Sequence, residues 1–189
     1  MKFVIATHNA HKVEEFRRIL EPLGIEAVTA DFEDVEETGT TFAENAQIKA
    51  EAACRATGLP SVADDSGLSV DALGGEPGVY SARWAGEGAT DAQRIEKLLR
   101  KLDGVPADER TARFVSAIHC AFPDGTAVAV QGECEGTIAF APAGAGGFGY
   151  DPVFLVGDKT YAEMTGAEKD AVSHRGKALR AFVEALKNR

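Results

Sequence analysis

Hydrophobic positions near the start of the chain change from a strand pattern to a helical pattern. Residues 3–6 form a short apolar run, which predicts a β-strand. Apolar side chains then recur at helical spacing, at Val13, Phe16, Ile19, Leu20 and Leu23, and Gly24 ends the pattern. The polar residues 7–9 lie between the two patterns. The sequence therefore predicts a βα unit with a polar loop at the carboxyl end of its strand.

The rest of the chain alternates between the same two patterns. Thr41 and Glu44 form a capping-box sequence, which predicts a helix that continues to about Thr57 and ends at Gly58. The other predicted elements are strands at 61–63 and 68–73 separated by a turn at 64–67, a glycine-rich loop at 74–88, a helix from residue 90 to Gly104, a strand around 114–122, a hairpin turn at 123–126, strands at 127–133 and 153–156, and a final helix from about residue 173. This order predicts a single α/β domain over residues 1–189 with a mixed sheet.

The composition restricts the class of protein. The 189 residues are 44% hydrophobic and 26% charged, which excludes a disordered chain. Lys and Arg number 20 and Asp and Glu number 30, so the net charge of −10 argues against nucleic-acid binding. No apolar run is long enough to cross a membrane. The three cysteines form no CxxC pair, so we expect reduced thiols and a cytoplasmic location.

Acidic residues are concentrated in one part of the chain. Residues 26–76 contain 12 acidic side chains and only two basic ones, Lys49 and Arg55. Most of these carboxylates are expected to form a solvated face. Glu44 is explained by its place in the capping box, whereas a bound phosphate would explain Lys49.

Two motifs can bind anions. Residues 7–12 lead into a helix whose free N–H groups favour an anion, and Lys12 lies in its first turn. The alternative is that Asn9 only caps the helix and that Lys12 is solvated. Near the C-terminus, His174 and Arg175 are suitable donors to phosphate or to base oxygens. The alternative for His174 is a capping or core role.

Two adjacent carboxylates form the most specific candidate site in the sequence. Asp64 and Asp65 follow an apolar strand and precede Ser66 and Gly67. Sites of open α/β sheets lie at strand ends, and adjacent side chains on a strand point to opposite faces. One carboxylate can therefore face the site while the other supports it. Such ligands suit Mg²⁺, which takes one or two carboxylates together with substrate phosphates; the alternative is an Asx-turn without a metal.

A glycine-rich segment at residues 144–152 contains a formal GxGxxG pattern. A dinucleotide-binding loop is rejected, because that motif opens a helix and here a strand-like sequence follows. The glycines can instead admit a ligand while Phe148 stacks on a base; the alternative is a loose loop with core aromatic residues. The chain contains no GxSxG, HExxH or Cys/His zinc spacing, which argues against a serine or zinc hydrolase.

Six motifs in this order resemble the inosine triphosphate pyrophosphatase family, also called non-canonical purine NTP pyrophosphatases. They are Ala6-Thr7-His8-Asn9 with Lys12; Thr41-Phe42 with Glu44-Asn45 and Lys49; Ala63-Asp64-Asp65-Ser66-Gly67-Leu68; Pro77-Gly78 with Tyr80-Ser81-Ala82-Arg83; Gly147-Phe148-Gly149-Tyr150-Asp151-Pro152; and Ser173-His174-Arg175-Gly176. Each motif is weak alone, but six in register across essentially the whole chain are highly specific. His8 departs from the family pattern, because many members carry glycine or asparagine there.

The resemblance implies a Mg²⁺-dependent hydrolase acting on ITP, dITP and XTP. Such an enzyme releases the monophosphate and pyrophosphate and thereby clears deaminated purines from the nucleotide pool. The resemblance also implies a homodimer. The implied fold is α/β, with an elongated mixed β-sheet flanked by helices and two lobes around the active-site cleft.

The resemblance also implies roles for individual residues. Asp65 matches the catalytic carboxylate, and Glu36 and Asp65 match the metal ligands. The matching substrate-binding positions are Thr7, His8, Asn9, Ala10, His11, Lys12, Lys49, Ser66, Phe148, Gly149, Tyr150, Asp151, Lys169, His174 and Arg175. The lysines match phosphate contacts, residues 148–151 match the base-binding segment, and the final His-Arg pair matches the contacts that read the purine.

Two rival functions are distinguishable by experiment. One is a related pyrophosphatase, such as a member of the Maf family, acting on pyrimidine or modified nucleotides; the six motifs argue against it. The other is a non-catalytic nucleotide sensor that keeps Lys12, Lys49 and Arg175 but lacks a working metal site. The intact Asp64-Asp65 pair argues against that second alternative.

Overall fold

The computed structural model describes all 189 residues and contains five α-helices and one seven-stranded sheet. The strands are β1 (Lys2–Ile5), β2 (Glu26–Val28), β3 (Ser61–Val70), β4 (Thr111–Ala121), β5 (Ala127–Ile138), β6 (Phe154–Val156) and β7 (Lys159–Thr160). The helices are α1 (Ala10–Leu20), α2 (Phe42–Thr57), α3 (Asp91–Lys101), α4 (Gly166–Val172) and α5 (His174–Lys187).

The sheet is mixed, as the sequence predicts. Its strand order is β2-β1-β3-β4-β5-β6-β7. Strand β1 pairs in parallel with β2 and β3, whereas β6 pairs antiparallel with β5 and β7. Helices flank this sheet, so the predicted α/β class is confirmed.

Three helices begin with the same reciprocal cap. In α2, Thr41 accepts a hydrogen bond from the backbone of Glu44, and the Glu44 carboxylate accepts one from the backbone of Thr41. Thr90 with Gln93 starts α3 in the same way, and Thr165 with Glu168 starts α4. The hydrogen bonds from Thr40 and Thr41 lower the pKa of Glu44. The capping box predicted at Thr41 is therefore confirmed.

The turn predicted at residues 64–67 is wrong, because β3 continues without a break through this segment. Leu68 and Val70 are completely buried, so packing of the strand overrides the low strand preference of Asp, Ser and Gly. The short β2 and α4 have no clear periodicity in the sequence and are additional elements. Leu23, predicted to face inward, is half exposed.

The chain divides into two compact units. The first comprises Met1–Ser66, Ser116–Gly132 and His174–Arg189. Its main core joins aromatic side chains of β1 and α5, where Phe3 packs edge-on against Phe182 at a centroid distance of 5.7 Å. A smaller alanine-rich cluster includes Ala50 and Ala63, which brings α2 close to β3.

The second unit comprises Gly67–Val115 and Glu133–Ser173 and has its own core. Phe114 stacks on Tyr161 with ring centroids 5.5 Å apart, and Phe154 packs edge-on against both rings. No helix of the structure has the length and apolar character needed to span a membrane.

Candidate active site

Asp64 is the centre of a buried group of charges in the first unit. Its Oδ1 lies 2.7 Å from Nζ of Lys12 and 3.1 Å from Nη2 of Arg175. The Ser116 hydroxyl donates a hydrogen bond to Oδ2 at 2.5 Å. Burial opposes ionisation, but Arg175 and Lys12 hold the pKa of Asp64 well below its ordinary value. Asp64 is therefore a fixed anion that aligns two cations.

Arg175 lies in the first turn of α5, and its side chain is fully buried. Its Nη1 pairs with the Glu15 carboxylate of α1, and its Nη2 donates to the Ser66 hydroxyl at 2.8 Å as well as to Asp64. Burial by itself lowers the pKa of Arg175, but Asp64 and Glu15 raise it above the ordinary value. These contacts link helices α1 and α5 to strand β3. A purine contact of Arg175 and of the neighbouring buried His174 stays a prediction.

The polar loop after β1 combines a helix cap with a buried cation. Oδ1 of Asn9 accepts hydrogen bonds from the backbone N–H groups of His11 and Lys12, and Thr7 Oγ1 accepts one from Asn9. Asn9 therefore caps α1. Lys12 is not solvated, because it pairs with Asp64 and its side chain is only 14% exposed. Burial lowers the pKa of Lys12, and the opposing effect of Asp64 does not fully offset it.

Asp65 contacts a different set of residues from its neighbour. Asn45 of α2 donates a hydrogen bond to Oδ2 of Asp65 at 3.1 Å. The Lys49 ammonium lies 3.5 Å from Oδ1 of Asp65 and donates to the Asp64 carbonyl at 2.9 Å. Burial raises the pKa of Asp65, and the nearby lysines only partly oppose this. The pKa values of the two adjacent carboxylates are thus shifted in opposite directions.

The loop before α2 brings Glu37, rather than Glu36, to this cluster. The Glu37 carboxylate lies 3.1 Å from Nζ of Lys49, whereas Glu36 is exposed. The negative charge of Glu37 also contributes to the raised pKa of Asp65. Glu44 directs its carboxylate to the cap of α2. A metal-binding role for Glu36 stays a prediction, and Glu37 is the additional carboxylate that the structure identifies.

A cavity of about 650 Å³ lies along one side of α1 in the first unit. Its lining residues are Thr7, His8, Ala10, Val13, Glu14, Arg17, Arg18, Thr29 and Ala30. His8 Nε2 lies 3.1 Å from an Asp34 oxygen, and its ring is 4.9 Å from the Phe32 ring. His8, the departure from the family pattern, therefore contacts the loop after β2.

The glycine-rich segment of the second unit is held by buried polar contacts. Oδ2 of Asp151 accepts hydrogen bonds from the Phe148 backbone N–H at 3.0 Å and from Lys169 at 2.6 Å. The Lys169 ammonium also lies 4.9 Å from the centre of the Phe148 ring. The Tyr150 hydroxyl donates to the Ser81 carbonyl at 2.7 Å, and Asp91 accepts from the Gly149 N–H at 2.9 Å. The segment is an ordered loop rather than a loose one.

Each unit thus brings together part of the predicted set. The first unit groups Lys12, Lys49, Asp64, Asp65, Ser66 and Arg175. The second unit groups Phe148, Asp151 and Lys169, with Gly149 and Tyr150 held alongside.

Three supporting residues were not identified from the sequence: Glu15, Ser116 and Asp91. Glu15 did leave a signal, because an acidic residue occupies the buried face of α1 beside Phe16. Ser116 is a single polar residue within the buried part of β4. Asp91 has only an ordinary place in the first turn of α3.

Comparison with known proteins identifies the family. The model of the Ham1 family matches residues 3–185. A dITP/XTP pyrophosphatase of Geobacillus kaustophilus is 55% identical over 184 residues, covering 94% of this chain and 90% of the relative. A dITP/XTP pyrophosphatase of Thermus thermophilus is 54% identical, covering 100% of this chain and 93% of the relative. The solved HAM1 protein from Coxiella burnetii is 42% identical and superimposes with a TM-score of 0.89, with both chains fully covered. The chain belongs to the Ham1 family.

Proposed function

We propose that this chain is a Mg²⁺-dependent nucleoside triphosphate pyrophosphatase that hydrolyses ITP, dITP and XTP to the monophosphate and pyrophosphate. Its cellular role would be to remove deaminated purines from the nucleotide pool of the cytoplasm, and we expect it to act as a homodimer. The names of its relatives support the dITP and XTP substrates. The observation that carries the proposal is the buried Asp65 carboxylate beside Lys49, next to the Lys12–Asp64 pair.

The charges of the cluster suit a polyphosphate. Lys12 and Lys49 each carry an ammonium group with three hydrogen-bond donors. Such a group can exchange a carboxylate partner for a phosphate oxygen. Both side chains are about one-seventh exposed, so a ligand can approach them. Arg175 pairs with Asp64 and Glu15, and it supports Lys12 through the Asp64 carboxylate that the two cations share.

The donor set also fits a magnesium ion. Asp65 offers carboxylate oxygens in a site where burial disfavours the negative charge, so a nearby divalent cation would stabilise the ionised form. Glu37 supplies a second carboxylate near Lys49, and Glu36 is the second ligand that the family resemblance implies. Mg²⁺ binds through one or two such carboxylates together with substrate phosphates. When bound, it would neutralise phosphate charge during the reaction.

In the proposed reaction a water molecule attacks the α-phosphorus. The bond between the α-phosphorus and the oxygen that bridges the α- and β-phosphates breaks, and that oxygen leaves with pyrophosphate. Asp65 accepts the proton of the attacking water, and a carboxylate with a raised pKa is better suited to this task. Lys12 and Lys49 stabilise negative charge on the phosphates and on the departing pyrophosphate.

The family resemblance implies that the ordered loop at residues 148–151 recognises the base. Phe148 offers a stacking surface, and the hydrogen bonds from the Phe148 and Gly149 N–H groups to Asp151 and Asp91 hold its backbone in place. Donors placed against a 6-oxo group would be left unpaired by the amino group of adenine, and such a mismatch discriminates strongly.

Pyrophosphate release from ITP, dITP, XTP, GTP and ATP, with Mg²⁺ and with EDTA, tests the proposal. We expect release from the first three far above GTP and ATP, and loss of release in EDTA. Equal turnover of all purines would contradict the nucleotide-clearing role. A preference for pyrimidine or modified nucleotides would favour the Maf-like alternative, and binding without turnover would favour the sensor.

Replacement of Phe148 by alanine is expected to raise KM for dITP more than it lowers kcat or stability. The ring is only partly buried and lies at the surface of an otherwise ordered loop, so its loss removes stacking area rather than core packing. Steady-state kinetics and thermal unfolding of the same preparation measure both effects. Unfolding of Phe148→Ala would instead identify the ring as part of the core.

A further inference from the structure

Asn45 is a completely buried polar residue of α2, and its amide bridges two parts of the candidate site. Its Oδ1 accepts a hydrogen bond from the backbone N–H of Gly39 at 2.8 Å. Its Nδ2 donates a hydrogen bond to Oδ2 of Asp65 at 3.1 Å. Because an amide has one acceptor end and one donor end, the contact with Gly39 fixes which end faces Asp65.

The approach of Gly39 to Asn45 is unusually close. A Cβ atom at Gly39 would lie 2.6 Å from Oδ1 of Asn45 and 2.6 Å from Cβ of Glu44. Glycine at this position therefore permits the hydrogen bond to the buried amide. The loop that Asn45 holds through Gly39 is the one that carries Glu37 two residues earlier.

We propose that Asn45 is a positioning residue for Asp65 in the reaction. It occupies Oδ2 of Asp65 as a hydrogen-bond donor and so leaves Oδ1, on the side of Lys49, to accept the proton from water. The same amide fixes the acidic loop relative to Asp65. This inference rests on the proposed function, because it assumes that Asp65 is the catalytic carboxylate.

The variant Asn45→Asp replaces the neutral amide donor by a second carboxyl group. It keeps the size of the side chain and an acceptor for the Gly39 N–H, but two adjacent buried carboxyl groups share a proton, so Asp65 loses its fixed neutral donor. Loss of an outer contact of this kind typically reduces activity by about 10–100-fold. We expect kcat for dITP to fall by about tenfold or more, with KM close to that of the wild type. A merely structural role would lower the thermal unfolding temperature without changing kcat per folded molecule.

A second variant disturbs the other hydrogen bond of the Asn45 amide, the one to Gly39. Gly39→Ala places a methyl group against Oδ1 of Asn45 and should reduce kcat even if Asn45→Asp fails to fold. The matched control is Gln47→Ala on the same helix, because the exposed amide of Gln47 donates its hydrogen bond to the carboxylate of Glu51, at 2.8 Å, and not to Asp65. This control should retain the wild-type kcat.

The outcomes separate the inference from the proposed function. Wild-type pyrophosphate release combined with unchanged kcat in Asn45→Asp and Gly39→Ala would overturn the positioning role alone. A decrease in kcat that only follows the decrease in folded protein would overturn it as well. Absence of pyrophosphate release by the wild type from every nucleotide tested would overturn the proposed function and this inference together.

Discussion

Asp65→Asn is expected to reduce kcat for dITP by at least about a hundredfold, the lower end of the contribution of a positioned acid or base. The amide cannot accept the proton from water, and it carries no charge for a metal ion. Its oxygen can still accept the hydrogen bond from Asn45, so the local packing is retained. Pyrophosphate release at saturating dITP and Mg²⁺ measures the loss.

The same variant is expected to be at least as stable as the wild type. The raised pKa of Asp65 means that the folded state disfavours its negative charge, so above the unfolded pKa this charge lowers the free energy of unfolding. Removing the charge should leave the urea midpoint at pH 7 unchanged or higher. Retention of near-normal kcat would remove Asp65 from the catalytic role, whereas loss of folding would show that its charge is required by the structure.

Asp64→Asn, unlike Asp65→Asn, is expected to lower the stability of the protein. Removal of one partner from a buried ion pair costs about 3–5 kcal/mol, because the remaining charge is left buried without compensation. Here both Lys12 and Arg175 lose their shared carboxylate. Equilibrium unfolding in urea at pH 7 should therefore show a large decrease in stability. Activity should also fall, since the position of the Lys12 ammonium depends on Asp64.

The pH dependence of stability provides a check on Asp64. Its folded pKa is depressed, so its contribution is fully present above the unfolded value of about 3.9 and decreases as the pH falls towards the folded pKa. The difference between wild type and Asp64→Asn should consequently shrink in acid. A difference that stays constant between pH 7 and pH 3 would contradict the assigned ion pairs.

The fold is predictable where local patterns decide the structure. The helical spacing and Asn9 place the start of α1, and the Thr41 capping box places the start of α2. The turn expected at Asp64–Gly67 fails because burial of Leu68 and Val70 outweighs the local preference of the polar residues. Local sequence carries little information about such packing.

The candidate site is predictable where its residues lie in short local motifs. The motifs contain Lys12, Lys49 and both aspartates, and alternation along β3 gives Asp64 and Asp65 different partners. The Glu15–Arg175 pair joins positions 160 residues apart, so no local pattern reveals it. Glu36 and Glu37 are chemically identical neighbours, and only the path of the loop distinguishes the one that meets Lys49.

The capping box of α2 sets where this helix begins beside the candidate site. One residue of an α-helix corresponds to a rotation of about 100°. A shift of the register of α2 by one residue would therefore turn Asn45 and Lys49 away from Asp65. Thr41 and Glu44 fix this start through contacts only three residues apart, which can form before distant parts of the chain meet. The start of α2 is thus fixed by four consecutive residues and does not depend on contacts across the long loops of the chain.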